Sequence, residues 1–514
     1  MIQNEKSDWL FDFIKSLEQN EKRYFKVQSA PQGSENKKYF QLFDAYDSLT
    51  RWNDEKLRNK IKDQSILKFL PQEKRSLYNA LLKSLRAYYS DSNLAHKTTS
   101  HLEDYEILMK KNNFVLAKKS LAKAKLQSEE YENFSDLIKI YSLEIEHSRS
   151  EYRNEDSKKK TTDIFKNIEE ATKKLLNYLE YEKAYAHVVR MNKKIELVSS
   201  LNEVYEIKKI LSQPIFANEA RALSVRSKVL YNYVFGVYHY FVNEYSRSEE
   251  YFSRYLKLFE ANPKIKEIQF ENYIRALKNY LFIKLKLGKT DEFLDSFQKL
   301  STLKSNNQFH SDNVYYSTYM FVIIFNVQTG KYREAIDYIQ EEKQRFNEIS
   351  RRVESKHILF EESVFIRFRS AFAYLCLGEP EKAIEQINMY LENEKSKKLS
   401  DSYTIANIVL CILYYESGNR LKLWETIKYL LKILKEKPRL NEFERTAYRF
   451  MNKAVEVGIK NKWKKEFEVL IKELEPIKQK KFEQNVFEYF AYDAWLEGKV
   501  KGKSINNIML GRLQ

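Results

Sequence analysis

Apolar side chains recur along most of the chain every three or four residues, which is the period of an α-helix, and short polar turns separate these runs. The 514 residues include only 10 Gly and 7 Pro. A fold with many β-strands needs a larger supply of these turn residues. We therefore predict an all-α protein with no more than stray β-bridges.

Single glycines lie between the helical runs. Gly288, Gly330, Gly378, Gly418 and Gly498 each follow one apolar run and precede the next. Glycine adopts the left-handed backbone conformation at a helix C-terminus without a Cβ penalty, and the chain can then reverse into the following helix. We predict a helix end at each of these positions.

Asparagine tolerates the same backbone geometry and extends the series. Asn112, Asn154, Asn243 and Asn461 are candidate turn residues, and a further turn is expected near Ser199. Turns at this spacing predict about ten helix pairs between residue 98 and the C-terminus.

Small side chains recur on both sides of these turns. They lie seven residues before a turn at Gly236, Ala371, Cys411, Ala454 and Ala491, and five residues after one at Ser248, Ala335 and Ala383. A small residue at a helix crossing lets two helices approach closely. We expect these residues to be buried, although Leu423 and Phe293 are bulky residues at equivalent positions.

The segment GKYREAI at residues 330–336 and the unit at residues 230–263 resemble tetratricopeptide repeats. The resemblance implies an α-solenoid of stacked helix pairs, although the spacing of the turns here exceeds the usual repeat of about 34 residues. We predict tetratricopeptide-like repeats over residues 229–514 and degenerate helical repeats over residues 98–228.

The repeat is absent from residues 1–97. The helical periodicity of this region predicts an N-terminal helical bundle. Helices are expected at residues 8–18, 21–28, 37–50, 54–62 and 72–90, with Asn20 and Asn53 as N-caps. The bundle could cap the first repeat or serve as an adaptor, and a DNA-reading helix-turn-helix is the alternative.

Three segments, SLEQNEKRYFKV, LYNALLKSLRAYYS and FEYFAYDAWLEGKV, resemble a family of large helical-repeat proteins from Bacteroidota. The resemblance covers the whole chain. It implies a helical-repeat fold and a cytoplasmic location, and it implies no activity.

The chain carries 89 Lys and Arg against 72 Asp and Glu, a net charge of +17, and residues 431–514 hold 19 basic against 12 acidic residues. This excess can be a solvated surface of mixed charge, or a basic face for nucleic acid, a ribosome or an acidic partner. In the second case Lys460, Lys462, Lys464 and Lys465 form the candidate basic patch.

Motifs for chemistry are missing from the sequence. The seven histidines form no HExxH motif, and no phosphate-binding glycine loop or GxSxG elbow is present. The two cysteines, Cys376 and Cys411, are expected to be buried free thiols. We predict no catalytic residues, no metal and no cofactor.

The acidic N-terminus is unlike a signal peptide, and no apolar run is long enough for a membrane span. We therefore expect a soluble, cytoplasmic protein without membrane contact.

The pattern favours a non-enzymatic interaction scaffold that binds a partner protein or peptide on the concave solenoid face. On the tetratricopeptide pattern that face includes Tyr233, Tyr240, Arg275 and Lys278. The corresponding set before Gly418 is apolar: Ile405, Ile408, Ile412 and Tyr415. We expect this set to be buried, and a groove for an apolar helix is the alternative. A factor that binds nucleic acid or the ribosome, and a peptide-sensing regulator with an N-terminal effector bundle, are the other candidate functions.

Overall fold

The computed structural model describes residues 8–28, 38–90, 94–149, 155–194, 204–305, 307–354, 360–393, 398–457 and 463–513. Within these ranges every regular element is a helix and no β-strand forms, which confirms the all-α prediction. The chain divides into two compact units, Met1–Glu169 and Glu170–Gln514. This division falls between the predicted boundaries after residues 97 and 228.

The first unit is built from short helices followed by longer ones. They are α1 (Trp9–Ser16), α2 (Gln19–Gln28), α3 (Lys38–Asp47), α4 (Asp54–Lys60), α5 (Gln64–Lys68), α6 (Leu70–Ser90), α7 (Leu94–Lys110), α8 (Phe114–Glu130), α9 (Phe134–Arg149) and the start of α10 (Glu155–Lys194). Helices α1 to α6 enclose one apolar cluster, and α7 to α9 enclose a second.

The five N-terminal helices expected from the sequence are present, and the predicted connection before the last of them contains the additional helix α5. Asn53 caps α4 as predicted, because its side-chain oxygen accepts a hydrogen bond of 2.7 Å from the Lys56 backbone N–H. The prediction for Asn20 is wrong, since this residue lies inside α2. The Glu21 carboxylate instead accepts the Glu18 backbone N–H at 2.5 Å.

The repeat in the middle of the chain differs from the expected spacing. Asn112 adopts the predicted left-handed conformation with φ +58°, but Glu132 does the same with φ +50° only 20 residues later. Helix α10 then continues for 40 residues, where the spacing predicted a pair of helices. The expected turns at Asn154, Ser199 and Asn461 lie outside the described residues.

The second unit contains the rest of α10 and the helices that follow it. These are α11 (Tyr205–Leu211), α12 (Val225–Phe241), α13 (Tyr245–Ala261), α14 (Pro263–Ile268), α15 (Phe270–Lys286), α16 (Thr290–Ser301), α17 (Gln308–Gln328), α18 (Tyr332–Glu341), α19 (Lys343–Glu354), α20 (Phe360–Cys376), α21 (Pro380–Asn393), α22 (Asp401–Glu416), α23 (Arg420–Glu436), α24 (Glu442–Val457), α25 (Lys464–Lys478), α26 (Tyr492–Lys501) and α27 (Ile505–Leu513). Short 3₁₀ turns occupy Pro214–Phe216, Glu219–Arg221 and Glu483–Glu488.

The predicted turn residues of this unit lie between successive helices in left-handed conformations. The φ angles are +55° at Asn243, +66° at Gly288, +77° at Gly330 and Gly378, and +72° at Gly418. Each of these turns joins two helices that pack on each other. The prediction for Gly498 is wrong, because this glycine lies inside α26, and Gly502 with φ +67° ends that helix instead.

The small residues of the pattern are buried as predicted, except Ala491, which is half-buried. The position of Ala491 was counted from Gly498, and that glycine does not form a turn. Ala371, Cys411 and Ala454 are 0%, 8% and 3% exposed. Cys376 and Cys411 are buried free thiols. Of the apolar set before Gly418, the three isoleucines are buried and Tyr415 is half-buried, which confirms the expected burial.

The C-terminal residues contact helices that lie far earlier in the sequence. The Asn243 side-chain amide donates to the backbone carbonyl of Lys481. Glu488 forms an ion pair with Lys286 at the end of α15, and the Tyr489 ring lies 5.3 Å from that of Phe368 in α20. The chain itself therefore covers part of the surface that α12, α15 and α20 would otherwise expose.

Candidate functional site

The predicted partner-binding residue Tyr233 belongs to the core. Its side chain is 4% exposed, and its ring packs against Tyr185 of α10 and Tyr255 of α13, with centroids 4.8 and 5.7 Å apart. The expectation that Tyr233 faces a partner is wrong, because α10 and α13 cover this side of α12. Tyr240 is half-buried, with its ring 5.9 Å from that of Tyr245.

Arg275 and Lys278 both lie on α15 and are half-buried. The Arg275 guanidinium lies 3.4 Å from the Glu271 carboxylate and 5.7 Å from the centre of the Tyr185 ring. A guanidinium at this distance from an aromatic ring makes a cation–π contact, which is favourable by about 0.5–1 kcal/mol at a surface. Tyr185 therefore links Arg275 to Tyr233, although only Arg275 remains accessible.

The alternative basic patch is only partly described. Lys464 and Lys465 are exposed at the start of α25, whereas Lys460 and Lys462 lie outside the described residues. Many basic side chains after residue 431 have acidic partners within the protein. Ion pairs within 4.0 Å involve Lys437, Arg449, Lys478, Lys480, Lys481, Lys499, Lys501 and Arg512. These pairs offset much of the positive charge in this part of the sequence.

Arg275 borders an open cleft of about 690 Å³ between α10 and the start of α15. We call this the α10–α15 cleft, and it is lined by Glu182, Tyr185, Ala186, Val189, Arg190, Ile268, Gln269, Phe270, Glu271, Asn272, Arg275 and His310. Its volume lies within the range of about 300–1,000 Å³ that is typical of ligand sites.

The floor of the cleft is fixed by contacts between α10 and α15. The Tyr185 hydroxyl lies 3.5 Å from the Asn272 side-chain oxygen, and the Tyr185 side chain is 9% exposed. Because Tyr185 also packs on Tyr233, its ring is anchored in the core while the Arg275 guanidinium lies over the ring, 5.7 Å from its centre. Aromatic residues and arginine are enriched in protein-binding surfaces. The Tyr185 ring is already fixed by the core, so it loses little entropy on binding.

Gln269 lines the cleft and carries a buried acceptor without a partner. It lies at the junction of α14 and α15, where its backbone carbonyl accepts the Tyr273 N–H at 3.0 Å. Its side-chain oxygen Oε1 is buried, yet no hydrogen-bond donor reaches it in the described structure. A buried polar atom without a partner costs free energy. A donor group on a ligand would remove that cost.

His310 of α17 closes one end of the cleft. Its ring packs against Phe270 at 5.1 Å, and its Nδ1 lies 3.3 Å from the Ser305 hydroxyl. Burial lowers the pKa of His310 below the ordinary histidine value, and the nearby Glu271 carboxylate opposes this shift. The imidazole is therefore neutral at neutral pH, and can donate from one ring nitrogen and accept at the other.

Charges of both signs line the cleft. Glu182 and Glu271 contribute two carboxylates, and Arg190 and Arg275 two guanidinium groups. Among the described residues of the chain, no group of three or more His, Cys, Asp or Glu side chains is arranged to hold a metal ion. The cleft can thus form ion pairs and hydrogen bonds with a ligand that carries both donors and acceptors.

Three residues that shape the cleft were not singled out from the sequence: Tyr185, Gln269 and His310. Tyr185 lies in the long helix α10, where no turn residue marks a repeat, and His310 is isolated in the sequence. Only the folded chain brings these side chains together with Arg275.

Comparisons with protein-family models, curated proteins and solved structures found no match to this chain. In the part of the chain that the structure describes, no helix has both the length and the apolar character required to cross a lipid bilayer.

Proposed function

We propose that the protein is a non-enzymatic scaffold of tetratricopeptide-like helix pairs, stacked as an α-solenoid, that binds a segment of a partner protein in the α10–α15 cleft. The left-handed turns at Asn243, Gly288, Gly330, Gly378 and Gly418 support the stacking, because they repeat one hairpin geometry at steps of 40–48 residues. Helices that pack on their sequence neighbours in this way are the building units of solenoids.

The observation that carries the choice of ligand is the unsatisfied Gln269 Oε1 in a cleft of mixed charge. A polypeptide supplies N–H donors at every residue except proline, together with carbonyl acceptors for the arginines. A nucleic acid strand fits less well, because Glu182 and Glu271 would repel its phosphates.

A peptide-display selection tests this proposal. Peptides enriched on the full-length protein are synthesised and titrated against the wild type and Arg275→Glu. The matched control is Arg254→Glu, because the Arg254 guanidinium lies 5.6 Å from the Tyr251 ring centre in a similar contact that is outside the cleft.

We expect Arg275→Glu to weaken the selected peptides at least tenfold, or by about 1.4 kcal/mol, and Arg254→Glu to leave their affinity unchanged. Gln269→Leu keeps a similar volume but removes the acceptor, and it should also weaken binding. Equal affinity for the wild type and both cleft variants would contradict the proposal.

One observation favours the second candidate, a nucleic-acid or ribosome-binding factor. Lys435, Arg439 and Arg445 border a surface notch of about 500 Å³ between α23 and α24. If this notch binds phosphates, a fluorescent RNA should bind with an affinity that falls steeply between 50 and 200 mM salt, as expected for phosphate contacts. Reversal of these three charges should abolish that binding without affecting the cleft peptides.

A further inference from the structure

A second cavity lies in the C-terminal part of the second unit, among α22, α23, α24, α25 and α26. Its volume is about 110 Å³. The lining residues are Ile408, Cys411, Ile412, Tyr415, Leu423, Ile427, Phe443, Ala447, Phe450, Met451, Ala454, Trp463, Phe467, Leu470, Leu474, Tyr492, Trp495 and Leu496. We call it the α22–α26 cavity.

The wall of this cavity is apolar, and none of its described lining side chains carries a formal charge at neutral pH. Burial raises the pKa of the Cys411 thiol to about 12, so this lining group is also neutral. The Trp495 indole Nε1 donates to the Glu416 carboxylate at 2.6 Å, which satisfies its polar edge. A charged ligand would lose its hydration here without compensation. The occupant must therefore be neutral.

Aromatic side chains dominate one side of the wall. The Trp495 ring lies 5.3 Å from Phe467 and 5.8 Å from Tyr415, both in edge-on geometry. Phe450 and Trp463 continue this side, with centroids 5.4 Å apart. Rings arranged in this way favour another ring that can add further edge-to-face contacts. Met451 contributes a thioether, which also packs well on aromatic rings.

The size of the cavity fits a small molecule. An engineered apolar cavity of about 150 Å³ in another protein stays dry and binds benzene. The α22–α26 cavity is smaller but of the same order, at about 110 Å³. Its small lining residues are Cys411, Ala447 and Ala454, and larger side chains at these positions would fill it. The cavity therefore has room for one aromatic ring.

One residue of the cavity wall, Tyr492, carries a buried polar atom that lacks a partner. The Tyr492 side chain lines the cavity and is 3% exposed, and its hydroxyl has no hydrogen-bond partner within the described structure. Burial raises the pKa of this hydroxyl well above the ordinary tyrosine value, so the group is a neutral donor and acceptor. A ligand with one hydroxyl or N–H group could satisfy it.

We propose that the α22–α26 cavity is a binding site for a small neutral molecule that has one aromatic ring and one hydrogen-bonding group, of the phenol class. The ring occupies the aromatic side of the cavity, and a small shift of the wall brings its polar group to the Tyr492 hydroxyl, which is buried without the ligand. Phe450, Trp463 and Leu470 are half-buried, so the ligand would enter past these partly accessible side chains.

Thermal unfolding of the full-length protein with phenol, toluene or benzoate tests the site. Saturating phenol should raise the melting temperature by about 3 °C or more, because a ligand that binds only the folded state stabilises it. Toluene should give a smaller increase, and the charged benzoate should give none. The absence of any increase with phenol or toluene would overturn the proposal.

A substitution that fills the cavity tests whether phenol binds there. Ala454→Leu should abolish the phenol-dependent increase, and Ala261→Leu, the same change at an exposed residue of α13, should preserve it. If Ala454→Leu does not fold, Ala447→Leu serves the same purpose. A full phenol effect in a folded, filled variant would place binding elsewhere and overturn the proposal.

Tyr492→Phe tests the polar contact. The variant should lose the preference for phenol over toluene while it retains the effect of toluene. An unchanged preference would contradict the role of the hydroxyl.

Thiol labelling gives an independent readout. Phenol should protect Cys411 from methyl methanethiosulfonate. It should not affect the labelling of Cys376, which lies outside the cavity. Equal labelling of Cys411 with and without phenol would also count against the proposal.

Discussion

The α12–α13 hairpin and the α22–α23 hairpin carry a small residue at the same position, seven residues before the turn, and pack it in opposite ways. In the first hairpin the residue is Gly236, and a Cβ placed there would lie 2.6 Å from Cε1 of Phe252. In the second it is Cys411, which lines the α22–α26 cavity. A small side chain can thus mark either a close helix contact or an open space.

The residue five positions after the turn accounts for the difference. In the first hairpin it is Ser248, whose hydroxyl donates to the Gly236 carbonyl at 2.8 Å across the crossing. In the second it is Leu423, which lines the cavity together with Cys411. A bulky side chain at the crossing prevents the close approach that the serine permits. The residues seven positions before and five positions after a turn therefore together determine how closely the two helices pack.

The largest effect is expected at the tight crossing. Gly236→Leu should destabilise the second unit by about 3 kcal/mol, because the added carbons overlap the Phe252 ring in a packed core. Urea unfolding followed by circular dichroism gives this value. A loss below about 1 kcal/mol would mean that the α12–α13 contact is looser than the structure shows.

The same kind of change at the second crossing should have a much smaller effect. Cys411→Leu enlarges a side chain that borders open space, and we expect the free energy of unfolding to change by less than about 1 kcal/mol in either direction. Comparison with Gly236→Leu under the same conditions provides the control. Destabilisation as large as that of Gly236→Leu would indicate that no such space exists.

The modification rates of the two cysteines compare a thiol that borders the cavity with one that does not. This measurement does not depend on a difference in protein stability. Burial raises the pKa of both Cys376 and Cys411 to about 12, so the two thiols are similarly protonated. We expect a small uncharged reagent to modify Cys411 faster than Cys376, because only Cys411 borders the cavity. Single-cysteine variants, each with the other cysteine changed to serine, allow the two rates to be measured separately. Faster modification of Cys376 would contradict the comparison.

The smallest effect is the pH dependence that His239 contributes in the tight α12–α13 hairpin. Burial lowers the pKa of His239 in α12, although a hydrogen bond of 2.9 Å to the Glu244 carboxylate opposes this shift. The unfolded chain then binds a proton more readily than the folded one, so stability is lost as the pH falls through the ordinary histidine range. His239→Gln should lose less stability than the wild type between pH 7.5 and 5.5 in urea unfolding. An equal loss in both proteins would assign the pH dependence to other groups.

Local signals in the sequence were sufficient for much of the fold. The left-handed turns at Asn112, Asn243 and Gly330 follow from the backbone preferences of Asn and Gly and were predicted correctly. Glu132 was missed, because nothing in a glutamate indicates a left-handed conformation. Gly498 was assigned to a turn that Gly502 makes, since both glycines follow the same apolar run.

The candidate sites were harder to predict from the sequence than the fold, because they depend on which helices pack together. Arg275 was predicted, and it borders the α10–α15 cleft. Tyr233 was assigned to the surface because the repeat pattern does not show that α10 packs over α12. The apolar set before Gly418 was expected to be buried, but the space beside Ile408 and Ile412 depends on how five helices meet and has no local signal.

A crystal structure of the full-length protein under xenon pressure measures the difference between the two crossings directly, because xenon binds in empty apolar cavities. We expect a xenon atom in the α22–α26 cavity, in contact with residues such as Cys411 and Ala454, and none beside Gly236. The absence of xenon from this cavity, or a protein side chain that fills its volume, would contradict the assignment of an open apolar site.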